Sequence, residues 1–183
     1  MIRLFVGVPV SEEVKKKIKP TITELQELRA DLNLVPLENL HFTVKFLGEV
    51  DEDEILEIRE MLDSIKLNKF KIKLSKIGAF PSLDRINVIW IGSESQEFIS
   101  LMKEVDNKLN YIKKNDFKKG VAHLTIARVK SGKNKDKLQE FVKKYAESGF
   151  GEMIVDKFFL YKSTLTPSGP VYTSIAEYLL KDL

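Results

Sequence analysis

Two four-residue segments half a chain apart repeat one pattern, His41-Phe42-Thr43-Val44 and His123-Leu124-Thr125-Ile126, and together they contain both histidines of the 183-residue sequence. An extended strand alternates its side chains with period two, so each segment offers an imidazole and a hydroxyl on one face and two apolar side chains on the other. Histidine titrates near neutrality, so a facing pair can act as proton acceptor and proton donor in one reaction. A threonine hydroxyl two residues on can donate a hydrogen bond to an anionic oxygen held between them. A lone strand histidine is usually structural; two in matching contexts, in a chain otherwise without the residue, point to catalysis.

What such a pair could do follows from what the chain lacks. There is no cysteine, so thiol nucleophiles, disulfides and zinc fingers are excluded. No HExxH motif appears, and the two histidines stand far apart in sequence. Concerted acid and base chemistry on a phosphodiester, without a metal or other cofactor, fits these residues. One neutral imidazole would take a proton from the attacking oxygen, and the other, protonated, would donate to the departing oxygen. Thr43 and Thr125 would bind the nonbridging oxygens. Arg128 has the charge and fork geometry for a phosphate, yet in an ideal strand it points away from His123, so a bulge or the strand's end must turn it. Lys45 shares a face with His41 and Thr43 by the same parity and is expected to be solvated. Phe80, Trp90 and Tyr172 are candidates to stack on a base, although strand aromatics more often belong to the core.

These residues must be positioned by alternating strands and helices. A strand is expected over 2–9, then a helix capped by Ser11 with Val14, Ile18, Ile22, Leu25 and Leu28 along one face. Pro20 should kink or interrupt it. The first motif strand falls near 40–47, followed by a helix starting at the acidic run Asp51 to Glu54 and carrying Ile55, Ile58, Leu62 and Ile65. Strands over 69–77 and 86–91 flank the turn Pro81-Ser82-Leu83-Asp84, and Phe98, Leu101, Met102, Val105 and Leu109 mark a third helix. The second half echoes the first, with a motif strand over 122–128, a helix bearing Leu138, Phe141, Val142 and Tyr145, and strands near 153–162 and 171–178. Matching units would set two sheets face to face across a cleft, with one histidine on each wall.

The motifs, together with the opening MIRLFVGVPV, PLENLHFTVKFLGEV, KIGAFPSLDRINVIWIG, AHLTIARVK and the tail FLYKSTLTPSGPVYT, resemble the two-histidine (2H) phosphoesterases, and within them the LigT-like RNA 2′,3′-cyclic phosphodiesterases, also called 2′-5′ RNA ligases. The likeness covers nearly the whole chain. It implies one domain over residues 1–183 with a two-lobed, pseudo-symmetric α+β fold, mostly antiparallel sheets, helices outside and a central cleft. It also implies hydrolysis of a 2′,3′-cyclic phosphate to a 2′-phosphate, and a reverse-type reaction in which a 5′-hydroxyl RNA end attacks the ring to give a 2′-5′ linkage. The expected partners are RNA ends carrying a cyclic phosphate, tRNA-type fragments among them. By family analogy His123 is the base and His41 the acid, and Arg128 meets the phosphate or nucleotide.

Composition is compatible with that expectation. Thirty Lys and Arg against 27 Asp and Glu give a net charge of +3, a mild basic bias that suits an anionic partner without demanding one. No apolar run approaches the roughly 20 residues that span a bilayer, so a cytoplasmic, unanchored monomer is expected. Other readings of the same residues stay open: a noncatalytic RNA-binding module, a zinc hydrolase, or a 2H phosphodiesterase acting on a small cyclic nucleotide or a 2′-5′ oligoadenylate.

Overall fold

A computed structural model describes residues 1–112 and 122–182. Its elements run β1 (Ile2–Pro9), α1 (Glu12–Glu27), β2 (Leu32–Leu34), β3 (His41–Val50), α2 (Ile55–Asp63), β4 (Phe70–Pro81), β5 (Ile86–Ser93), α3 (Gln96–Lys108), β6 (Ala122–Val129), α4 (Lys135–Lys144), β7 (Gly149–Val155), β8 (Lys157–Thr166) and β9 (Gly169–Leu179). Helices α1, α2 and α3 begin where the sequence supplies acceptors for their free amides. Ser11 Oγ accepts from Val14 N–H at 3.4 Å, and Ser95 Oγ accepts from Phe98 N–H at 3.1 Å. Asp51 and Glu54 form a reciprocal capping box around a short 3-10 turn that leads into α2. Helix α1 runs unbroken through Pro20, so the expected interruption does not occur.

The strands form one mostly antiparallel sheet in the order β7-β4-β5-β6-β3-β1-β8-β9, with β2 paired to β6. The expectation of two separate facing sheets is therefore corrected. The two four-strand halves meet at β3 and β6 through the single register pair Phe42↔Leu124, which joins them through the middle. The halves are pseudo-symmetric, since each places its motif strand innermost: β3-β1-β8-β9 on one side and β6-β5-β4-β7 on the other. They also exchange elements. Strand β4, which follows the first motif strand, pairs with β5, and β8, from the second half of the chain, pairs with β1. Likewise α3 packs on β3 while α1 packs on β7.

The core lies between the strands and these helices. Phe42, Leu124 and Ile126 are wholly buried and Val44 nearly so, and Phe42 meets Phe98 of α3 at 5.4 Å between ring centroids. Burying each such side chain contributes on the order of 1.5–3 kcal/mol, so the apolar half of each motif anchors its strand. Two elements depart from expectation. The strand expected near 153–162 is two strands, broken at Asp156, and the three-residue β2 is an addition to the expected elements. Among the described residues no helix is long and apolar enough to cross a membrane.

Candidate active site

Each motif strand carries a β-bulge at the same place. On β3, Gly7 pairs with Thr43 and Val6 with Lys45, which leaves Val44 as an extra residue; on β6, Trp90 pairs with Thr125 and Ile89 with Ala127, which leaves Ile126 extra. The side-chain alternation flips at that point. Val44 and Lys45 are buried in succession, as are Ile126 and Ala127, and the next residues, Phe46 and Arg128, are exposed. The bulge thus gives one strand face His41, Thr43 and Phe46, and the other His123, Thr125 and Arg128. The carbonyl of bulge residue Ile126 accepts from Val35 N–H at 2.9 Å, just past β2, and Asn33 pairs with Arg128, so β2 braces the turned segment.

All six of these side chains line one cleft of about 810 Å³. His41, Thr43, His123, Thr125 and Arg128, the residues singled out from sequence, are all brought together there. Lys45 is not: it is wholly buried and ion-paired with Asp106 of α3, on the helix side of the sheet. The expectation of a solvated lysine beside His41 is corrected by the bulge, which reverses its facing. Sequence reasoning also missed Phe46, Arg3 and Asn39 as lining residues. A bulge common to both motifs would have revealed Phe46 as the counterpart of Arg128, but strict period two assigns it to the other face.

The two imidazoles sit in similar aromatic settings. Tyr172 stands edge-on to His41 at 5.2 Å and 87°, and Phe80 stands edge-on to His123 at 5.1 Å and 85°. Phe5 lies against His41 at 4.8 Å. Trp90 is buried and tilted against Phe80 at 5.0 Å, so of the three base-stacking candidates Phe80 and Tyr172 face the cleft and Trp90 forms part of the wall behind Phe80.

His41 Nδ1 lies 2.7 Å from the carbonyl oxygen of Asn39. A carbonyl can only accept, so Nδ1 carries the proton and Nε2 is the nitrogen that exchanges one. Asn39 is itself held, its Nδ2 donating to the Pro170 carbonyl at 3.0 Å at the start of β9. Burial pushes the His41 pKa below the ordinary histidine value, opposed in part by the Asn39 carbonyl, which favours imidazolium. Burial also raises the Tyr172 hydroxyl, while Arg128 and Arg3 both act to lower it, which puts two guanidinium charges within electrostatic reach of the same ring. Among the described residues no group of three or more His, Asp or Glu side chains gathers to hold a metal ion.

Two imidazoles, two hydroxyls and an arginine around a single cleft define the equipment of a phosphoester-handling protein. Residues 8–90 match the LigT-like phosphoesterase family, residues 91–172 match it a second time, and the chain belongs to that family. The double match follows the pseudo-symmetry of the two halves. The protein named RNA 2′,3′-cyclic phosphodiesterase in Methanocaldococcus jannaschii is 41% identical over 177 residues, covering 97% of this chain and 100% of the relative. Its namesake in Archaeoglobus fulgidus is 39% identical over 178 residues, covering 95% of this chain and 98% of the relative. A crystal structure of a Thermus thermophilus protein superposes with a TM-score of 0.81 at 28% identity, covering 99% of both chains.

Proposed function

We propose that this chain hydrolyses RNA 2′,3′-cyclic phosphate ends to 2′-phosphates, with His123 as general base and His41 as general acid. The observation that carries this reading is that strand alternation presents His41 and Thr43 from β3, and His123 and Thr125 from β6, to one cleft, into which the bulge after Thr125 also turns Arg128. The names of the full-length relatives support the substrate.

Water attacks phosphorus and gives its proton to the His123 imidazole. The bond from phosphorus to the 3′ oxygen breaks, and that oxygen takes the proton from His41 Nε2, so the products are a 2′-phosphomonoester and a free 3′-hydroxyl. The pair ends with its protonation reversed and resets through solvent. Thr43 and Thr125 donate to the nonbridging oxygens, and Arg128 neutralises the charge that grows on them. Burial by itself disfavours imidazolium at His41; a bound phosphate anion supplies the opposite charge that restores it. Ligation is the same in-line displacement with a 5′-hydroxyl RNA end in place of water: the 5′ oxygen bonds to phosphorus, the 3′ oxygen leaves and is protonated, and a 2′-5′ linkage results.

Residues 1–183 act as a single unit in this proposal, because each half lends the other a strand. The candidate site residues of one chain complete the cleft, and the expected form is a monomer acting on tRNA-type fragments in the cytoplasm. The test is incubation of chelator-treated protein with a short RNA ending in 2′,3′-cyclic phosphate, with the product end identified. A 2′-phosphate supports the proposal. A 3′-phosphate would reverse the leaving group, and activity lost to chelator and restored by a divalent ion would replace the mechanism.

A further inference from the structure

Phe46 is 55% exposed although it is a large aromatic side chain. A single exposed apolar residue is ordinary, and Leu56 or Leu179 need no explanation of this kind. Phe46 differs in its place. The bulge in β3 turns it into the cleft on the same face as His41 and Thr43 and at most about 10 Å along the strand from Thr43, at roughly 3.3 Å per residue. The rings of Phe5, Tyr172 and Phe80 lie against the imidazoles. Phe46 touches only the flank of this group, 6.2 Å from Phe5, and keeps most of its surface open.

A positive charge accompanies it. Phe46 pairs across the strands with Phe5, and Arg3, two residues before Phe5, is exposed and lines the same cleft. Arg3 is close enough to Tyr172 to bias its hydroxyl, as Arg128 does from the other half of the sheet. The cleft therefore has one arginine beside the His-Thr centre and another beside an open aromatic face further out. An aromatic surface accepts any base by stacking, and a guanidinium fits a phosphodiester.

Resting on the proposed RNA cyclic phosphodiesterase activity, we infer that Arg3 and Phe46 form a second subsite for the nucleotide that precedes the cyclic-phosphate end. Arg3 meets the phosphodiester on the 5′ side of the terminal ribose, and Phe46 stacks the penultimate base. The enzyme is in consequence selective for RNA chains over mononucleotide 2′,3′-cyclic phosphates.

The test compares kcat/KM for three substrates: adenosine 2′,3′-cyclic phosphate, the same compound with a 5′-phosphate, and the dinucleotide adenylyl-adenosine 2′,3′-cyclic phosphate. Wild type should rank them in rising order. Phe46→Ala should lower the preference for the dinucleotide over the 5′-phosphorylated mononucleotide by roughly tenfold, the scale of one lost base stack. Arg3→Gln should instead erase the advantage given by the 5′-phosphate. Phe46→Leu, which keeps an apolar side chain but no stacking face, guards against misfolding and should lose the same preference. Equal ratios in wild type and both Phe46 variants would overturn the subsite while leaving the terminal reaction intact. Failure of wild type on all three substrates would overturn the proposed activity and this inference with it.

Discussion

Removing either member of the Lys45–Asp106 pair should destabilise the protein, but by unequal amounts. Lys45 has no solvent access, whereas the Asp106 side chain retains 18% of its exposure. Asp106→Ala takes the carboxylate away from an ammonium that cannot reach water, a change of about 3–5 kcal/mol for a buried pair. For a chain of this size each kcal/mol shifts Tm by roughly 2–4 °C, so the fall should be about 6–20 °C. Lys45→Met leaves an apolar chain of similar length in the buried slot and a carboxylate that water can reach, and should lose only about 1–2 kcal/mol. The assay is thermal unfolding followed by far-UV circular dichroism, with urea midpoints as a check that the transition stays cooperative. A Lys45→Met variant less stable than Asp106→Ala would refute the reasoning from burial. So would two variants within about 0.5 kcal/mol of wild type.

Two further outcomes follow from the cleft. Because burial lowers the His41 pKa and the general acid must be protonated to work, kcat/KM should fall as pH rises through a value below the ordinary 6.5. The same limb in kcat should lie higher, since bound phosphate favours imidazolium; a kcat/KM limb above 6.5 that disappears in His41→Ala would show that the free site does not hold His41 neutral. A Cβ at Gly78 would fall 2.1 Å from Trp90 Cζ2 and 2.4 Å from Cη2. Gly78→Ala should therefore displace the indole that backs Phe80 and lies 6.3 Å from His123, lowering stability by about 1–3 kcal/mol and turnover with it. Unchanged melting and turnover would mean that this wall yields without strain.

The grouping of the candidate site residues was legible because His, Thr and strand alternation are local properties. Period two alone correctly put His41 with Thr43 and His123 with Thr125. It failed just beyond them, at Lys45 and Phe46, because a bulge depends on how many residues the partner strand offers, and no residue type in HFTVKFLG marks one. At Arg128 the conflict between its expected role and its parity pointed to a bulge, which β6 contains. The break at Asp156 was hidden for a related reason. Strands β7 and β8 are consecutive in sequence yet lie in opposite halves of the sheet, joined by one residue without glycine or proline. The exchange of β4 and β8 between halves is likewise a matter of long-range pairing, which periodicity does not encode.

The most direct test of the paired-histidine mechanism is a double-mutant cycle on a cyclic-phosphate RNA, comparing His41→Ala, His123→Ala and the double variant, each shown to melt like wild type. Acid and base acting in one transition state predict that each single change lowers kcat by about 10²–10⁴-fold and that the double variant is little worse than the poorer single one. A folded single variant with near-wild-type turnover, or strictly multiplicative losses in the double variant, would contradict it.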